Sequence, residues 1–234
     1  MVHRSVKGGR VSGVRARARV AVGVGTAWLA VVTAGPAVAS PANAGPVEVV
    51  PLWEAVERLP VAAEDRTGYD RDAFEHWIDV DRDGCNTRRE VLIDEAVQAP
   101  QVGRRCKLSG GLWYSYYDNV ERTDRLDIDH MVPLAEAWDS GARGWTFERR
   151  REYANDLGDH RALVAVTDTY NRQKADKDPA QWRPPYEPAR CRYYGEWTAI
   201  KLRWRLSADP AEKAALTAYT QNCPNDPITI TPAP

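Results

Sequence analysis

Four cysteines constrain the fold of this chain more than any other feature of its sequence. They are Cys85, Cys106, Cys191 and Cys223. An even number of cysteines in an exported chain is typical of disulfide bonds. Four cysteines can pair in three ways. We favour the arrangement with two local bonds, Cys85–Cys106 and Cys191–Cys223. A zinc site is the alternative, but the chain has no Cys-x-x-Cys pair and its cysteines are widely scattered.

Export, which the disulfide prediction requires, is indicated by the N-terminus. Six basic residues and no acidic residue precede or border an apolar run over 20–32, and small residues suited to a signal peptidase follow. This order predicts a signal peptide over 1–44 and a secreted, extracellular protein. A retained membrane anchor is the less favoured alternative because the apolar run is short for a bilayer span. No membrane association is expected after cleavage.

Cleavage leaves about 190 residues, enough for one domain with its own core. We predict an N-terminal extension over 45–65, a single domain over 66–223, and a Pro-rich tail over 224–234 that is expected to be mobile. The mature chain has 26 basic and 33 acidic residues, a formal charge of −7. This charge is unusual for a nucleic-acid binder but permits an enzyme with a local basic strip. A monomer is expected.

Hydrophobic periodicity and turn residues predict an α+β domain in which a small hairpin lies among helices. Strands are expected over 110–116, 126–131 and 163–166. A short amphipathic segment is expected over 53–59. Helices are expected over 70–78, 90–97, 134–138, 147–153, 170–174 and 193–206, followed by a last helix capped by Asp209.

The segment 126–134 carries the most chemistry. Its apolar and acidic residues alternate, so Asp127 and Asp129 project from one face of the predicted strand. His130 follows just before Pro133 ends the strand, and a turn or bulge here would let Asp129 and His130 converge. Asn171 lies on the helix that follows the 163–166 strand. Phosphodiester hydrolysis needs a base, which a neutral imidazole provides, and a hard cation, which oxygen ligands hold.

These motifs resemble a known family. The sequences at 129–133 (Asp-His-Met-Val-Pro) and 171–174 (Asn-Arg-Gln-Lys) are similar to the HNH, or ββα-metal, endonucleases. The similarity is greatest to a secreted bacterial branch related to the C-terminal nuclease domain of modification-dependent restriction enzymes. It covers about 66–223 and includes further matching segments at 77–88, 110–113, 155–157, 177–182 and Cys191.

The resemblance implies a ββα-metal core and a one-metal endonuclease that leaves a 3′-hydroxyl, with DNA favoured over RNA. It implies His130 as general base and Asp129 and Asn171 as ligands of Mg²⁺ or Mn²⁺. Asp127 is a further ligand, an orienter of the base, or a structural carboxylate. Lys174 binds phosphate or steadies the local fold. The candidate phosphate-binding residues are Lys174, Arg172 and Arg88.

The sequence departs from the family pattern at one position. Many HNH proteins have an asparagine just before the second strand that orients the histidine, and this chain has Ala162 there. We name His160 and Asn155 as candidate substitutes.

A second motif matches the calcium loop of an EF-hand. Its carboxylates are spaced as in D-x-D-x-D-G-x₅-E, and a capped polar turn without Ca²⁺ is the alternative. Two further functions stay open: a non-catalytic extracellular calcium-binding module with a relic HNH site, and a phosphodiesterase acting on a substrate other than nucleic acid. The intact His130, Asp129 and Asn171 argue against a relic. The candidate calcium ligands are Asp79, Asp81, Asp83 and Glu90.

Overall fold

A computed structural model describes residues 45–234, so the predicted signal peptide lies outside the described residues. The described chain is a mixed α and β protein. Its strands are β1 (Glu48–Pro51), β2 (Ala96–Gln98), β3 (Gln101–Val102), β4 (Leu108–Ser109), β5 (Leu112–Ser115), β6 (Val120–Arg122), β7 (Leu126–His130), β8 (Leu163–Thr167) and β9 (Pro227–Ile230). Its helices are α1 (Leu52–Arg58), α2 (Thr87–Asp94), α3 (Leu134–Asp139), α4 (Phe147–Ala154), α5 (Asp168–Lys174), α6 (Arg190–Trp204) and α7 (Pro210–Thr220).

The antiparallel pair β7–β8 forms the centre of the molecule. Leu126 lies opposite Thr167 and His130 lies opposite Leu163, and helix α5 begins directly after β8 and packs on both strands. All five residues of β8 are buried because α2, α5 and β5 contact it. Side chains accept hydrogen bonds from amides of β8 that do not pair with β7. The Ala165 amide donates to Glu95 at 2.7 Å, and burial raises the pKa of that carboxyl to about 7.

The two ends of the described chain form a second antiparallel pair. Strand β1 pairs with β9, and α1 packs on α6 and α7. The expectation of a mobile tail is therefore wrong, since the tail provides β9 and the Thr231 carbonyl accepts from Arg203 at 2.7 Å. The amphipathic segment predicted over 53–59 forms most of helix α1. The domain boundaries at 66 and 223 remain a prediction.

Both predicted disulfide pairings are confirmed. Cys85–Cys106 links the turn before α2 to a short 3₁₀ segment, and Cys191–Cys223 fastens the start of α6 to the chain just after α7. The bridges span 21 and 32 residues. Each is expected to stabilise the fold by restricting the unfolded chain, by about 3–4 kcal/mol.

Helix α6 runs through the core and carries charged residues as well as aromatic ones. Trp197 and Trp204 are buried on it, and so is Lys201, whose ammonium contacts the carboxylates of Glu136 and Glu212. Arg203, which is also buried on α6, forms an ion pair with the buried Asp156. None of the helices in residues 45–234 is long and apolar enough to cross a bilayer.

Two of the predicted helices are corrected. The segment 70–78 forms only a 3₁₀ turn over Arg71–Ala73, because the backbone leaves helical geometry at Phe74 (φ −112°, ψ 88°) and Trp77 has a φ of 61°. The helix predicted over 90–97 is shifted to α2, and Ala96 pairs instead with Trp113 in a sheet. In both places tertiary packing outweighs the local helical periodicity.

Candidate active site

The end of β7 opens into a cleft of about 380 Å³. The cleft brings together Asp129, His130 and Asn171, three residues that the sequence predicts to act jointly. They come from β7 and α5, which pack against each other. The remaining lining residues are Tyr69, Arg71, Ile128, Pro133, Leu134, Ala135, Ala175 and Asp176.

No bulge is needed to bring Asp129 and His130 to the cleft. The pairs Asp129–Val164 and His130–Leu163 are consecutive and regular, so the two side chains leave β7 on opposite sides. Both still border the cleft because it lies across the end of the strand. The suggested bulge is therefore absent from β7.

The His130 ring is oriented by a backbone carbonyl. Its Nε2 lies 2.9 Å from the carbonyl oxygen of Ala154, at the end of α4. A carbonyl only accepts, so Nε2 carries the proton and Nδ1 keeps its lone pair. The Tyr153 ring is stacked on the imidazole with centroids 6.5 Å apart, and the Trp77 ring lies tilted at 5.3 Å.

Neither of the two proposed substitutes orients His130 directly. The carboxamide of Asn155 instead fixes the backbone around Ala154, since its oxygen accepts from the Ile78 amide at 3.1 Å and from the Thr87 hydroxyl at 2.8 Å. Its nitrogen donates to two further carbonyls. His160 is exposed, and none of its hydrogen bonds reaches His130 in the described part of the chain. A carbonyl has no sequence signature, so this partner was beyond sequence reasoning.

Burial, helped by the nearby charges of His76, Arg71 and Lys174, lowers the pKa of His130 to about 3, and the hydrogen bond to Ala154 opposes this shift. The imidazole is therefore neutral throughout the physiological range. A neutral ring with a free lone pair is the form that a general base requires.

This shift predicts a pH dependence of stability. The folded pKa lies below the unfolded value of 6.5, so the unfolded chain binds the proton first as the pH falls. We expect the His130 contribution to be complete above pH 6.5 and to be lost towards pH 3, by about 1.4 kcal/mol per pH unit. Urea unfolding of His130→Gln between pH 7 and 4 should show a shallower loss than wild type. His160→Gln should keep the wild-type slope, and an unchanged slope in His130→Gln would contradict the shift.

Asp129 is held by a buried ion pair. The ammonium of Lys174 lies 2.9 and 2.7 Å from the two carboxylate oxygens, and the Tyr117 hydroxyl donates to one of them at 2.6 Å. Lys174 is fully buried and also donates to the His130 carbonyl at 2.8 Å. Burial raises the pKa of Asp129, and the charge of Lys174 opposes that rise. Lys174 thus joins α5 to the end of β7.

Asn171 and Asp127 differ in their relation to the cleft. Asn171 is half-buried on α5, and its carboxamide makes no hydrogen bond within residues 45–234. It is free to bind a ligand in the cleft. Asp127 is half-buried on β7 and does not line the cleft.

The three candidate phosphate-binding residues do not line the cleft. Lys174 is buried in the ion pair with Asp129. Arg172 is exposed and pairs with Asp168 at 2.8 Å, and Arg88 donates to the Leu126 carbonyl at 2.9 Å.

The loop that holds the candidate calcium ligands, the acidic loop over 79–90, brings three of its four carboxylates together. One oxygen from each of Asp79, Asp81 and Asp83 lies within 4.8 Å of the others. The same side chains accept from amides of their own turn, including that of Gly84 at 3.0 Å. Glu90 lies on α2, and the repulsion of the loop carboxylates adds to burial in raising its pKa. The entering helix of an EF-hand is missing because 70–78 is not helical.

Sequence reasoning missed three polar residues of the cleft. Arg71 comes from the segment predicted as a helix, Tyr69 directly precedes that segment, and Asp176 follows α5. It also missed Tyr117, because an aromatic residue after a strand reads as core. No local pattern signalled any of these contacts.

The fold and the cleft define a disulfide-bonded α+β protein with a histidine, a carboxylate and a carboxamide in one site. Residues 86–219 match the family of GmrSD restriction endonucleases, C-terminal domain, and the chain belongs to this family. The family indicates a nuclease-like function, and with it nucleic-acid binding and a divalent metal.

The chain is also similar to an uncharacterized secreted protein of Arthroderma benhamiae. The two are 38% identical over 205 residues, which cover 84% of this chain and 98% of the relative. No solved structure matches. The secreted relative and the two disulfides identify this protein as extracellular.

Proposed function

We propose that the protein is a secreted, metal-dependent endonuclease that hydrolyses phosphodiester bonds with His130 as general base. The observation that carries this proposal is the neutral His130, which is fixed through Nε2 and lines the same cleft as Asp129 and Asn171. The family membership supports the same class of reaction.

The proposed step begins with a water molecule near Nδ1 of His130. The water oxygen attacks phosphorus while one of its protons moves to Nδ1. The bond from phosphorus to the 3′-oxygen breaks, and the leaving oxygen takes up a proton from solvent. The products are a 3′-hydroxyl and a 5′-phosphate. The Ala154 carbonyl holds the ring during transfer and stabilises the positive charge that the imidazole gains.

The donor set of the cleft suits a magnesium ion. Asp129 uses three of its four lone-pair positions on Lys174 and Tyr117, which leaves one on Oδ1. Asn171 offers an unengaged amide oxygen. Two protein oxygens are the small set with which Mg²⁺ is commonly held, the remaining positions going to water and phosphate. Bound Mg²⁺ or Mn²⁺ would neutralise charge on the leaving oxygen.

Within this proposal, β7, β8 and α5 form the ββα-metal core. The antiparallel strands, the histidine at the end of the first and the asparagine on the helix after the second support this assignment. Lys174 then acts by holding Asp129 and α5 together.

A panel of substrates tests the proposal and separates it from its alternatives. The purified, oxidised protein is incubated with plasmid, single-stranded DNA, RNA and a phosphodiester without nucleobases, in Mg²⁺, Mn²⁺ or EDTA. We expect divalent-dependent cleavage of nucleic acid, with DNA preferred. Cleavage of the simple diester alone would favour a different phosphodiesterase. No cleavage in any metal would favour a relic site.

Calcium binding by the acidic loop is a separate proposal. It rests on the convergence of Asp79, Asp81 and Asp83. If the loop binds Ca²⁺, millimolar CaCl₂ raises the melting temperature of wild type but not that of Asp81→Asn. An equal response of both proteins assigns the loop to a capped polar turn.

The remaining sequence predictions complete the proposal. They are a signal peptide over 1–44, an extension over 45–65, a nuclease domain over 66–223, and a monomer. N-terminal sequencing of the secreted protein tests the first, and sedimentation tests the last.

A further inference from the structure

We infer that Arg71 is a catalytic residue that binds the non-bridging oxygens of the scissile phosphate. This inference rests on the proposed nuclease function and adds a residue that lies outside the family match over 86–219. Arg71 lines the cleft together with His130 and Asn171.

The backbone of Arg71 is fixed while its side chain is exposed. Arg71 begins the 3₁₀ turn, which the Asp70 side chain caps, and Phe74 at its end is completely buried between Trp138 and Tyr153. The guanidinium of Arg150 holds the Ala73 carbonyl at 3.2 Å. An anchored backbone with an exposed side chain is the arrangement that a substrate-binding arginine needs.

The two carboxylates of the cleft are each paired with a cation other than Arg71. The carboxylate of Asp129 is paired with Lys174, and that of Asp176 is paired with Arg66 at 2.7 Å. Arg71 forms no ion pair within residues 45–234. Its charge is therefore not neutralised by either carboxylate of the cleft, although the mature chain is acidic.

A cation in this position that forms no ion pair within residues 45–234 matches the charge of the substrate. The guanidinium is a planar fork whose two N–H groups fit two phosphate oxygens. Arg71 and the proposed base line the same cleft, so the guanidinium can reach a phosphate that is bound there. Charge builds up on the non-bridging oxygens during attack, so a cation held there stabilises the transition state more than the ground state.

The test is single-turnover plasmid cleavage at saturating enzyme, with wild type, Arg71→Met and Arg71→Lys. We expect Arg71→Met to slow the chemical step by about 10²-fold. Arg71→Lys should recover only part of this loss, because it restores charge but not the fork. Arg104→Met is the matched control, since Arg104 is exposed outside the cleft, and its rate should equal that of wild type.

Two results overturn the inference. One is an unchanged single-turnover rate in Arg71→Met. The other is a loss that appears only when the enzyme is below saturation, with a reduced salt dependence, which assigns Arg71 to a remote phosphate contact. A melting temperature equal to wild type shows that the variant is folded. Wild type without activity would defeat the proposed function itself, and that outcome is visible before any variant is made.

Discussion

Replacing Lys174 by methionine is expected to lower the free energy of unfolding by about 3–5 kcal/mol. The ammonium is fully buried between both oxygens of Asp129 and the His130 carbonyl. Methionine of similar length would leave a carboxylate buried with only the Tyr117 hydroxyl as partner. Urea unfolding at pH 7 with both disulfides intact measures the change.

The control is Lys177→Met, since Lys177 donates only to the Gln173 carbonyl near the surface. It should cost less than about 0.5 kcal/mol. Asp129→Leu combined with Lys174→Met should recover much of the stability, because the pair is replaced by apolar groups, but it should stay inactive. A loss below 1 kcal/mol in Lys174→Met would contradict the buried pair.

Replacing His130 by glutamine is expected to lower kcat for plasmid cleavage by about 10²–10⁴-fold. Glutamine keeps a group that donates to the Ala154 carbonyl but has no nitrogen that accepts a proton near neutral pH. The loss should therefore lie in kcat, with KM little changed.

His160→Gln is the matched control, because His160 is exposed and lies outside the cleft. Its kcat should equal that of wild type. A His130→Gln protein that is folded and cuts DNA at the wild-type rate would show that another group is the base.

Local sequence patterns predicted much of the secondary structure that surrounds this site. Alternation over 126–130 and the apolar run over 163–166 predicted β7 and β8, which pair as expected. The last helix was predicted from its cap, and Asp209 indeed accepts from the amides of Ala211 and Glu212. These features depend on residues close in sequence, where periodicity and capping dominate.

The parts that could not be predicted depend on distant contacts. The partner of His130 is a backbone carbonyl, which any residue at position 154 would supply. Lys174 meets Asp129 because α5 packs on β7, and Tyr117 reaches Asp129 from the turn between β5 and β6. Arg71 reaches the cleft because 70–78 is not the helix that its periodicity predicts. Prediction thus failed where tertiary contacts decide which side chains share a site.

We propose that the cleft around the neutral imidazole of His130 cuts phosphodiester bonds with the help of a divalent ion. The most direct measurement is the rate at which EDTA-treated wild-type protein nicks supercoiled plasmid as Mg²⁺ is added back, with folded His130→Ala in parallel. We predict that the rate rises with Mg²⁺ to a plateau in wild type and stays near background in the variant. Equal rates in the two proteins, or cutting that EDTA does not affect, would contradict this claim.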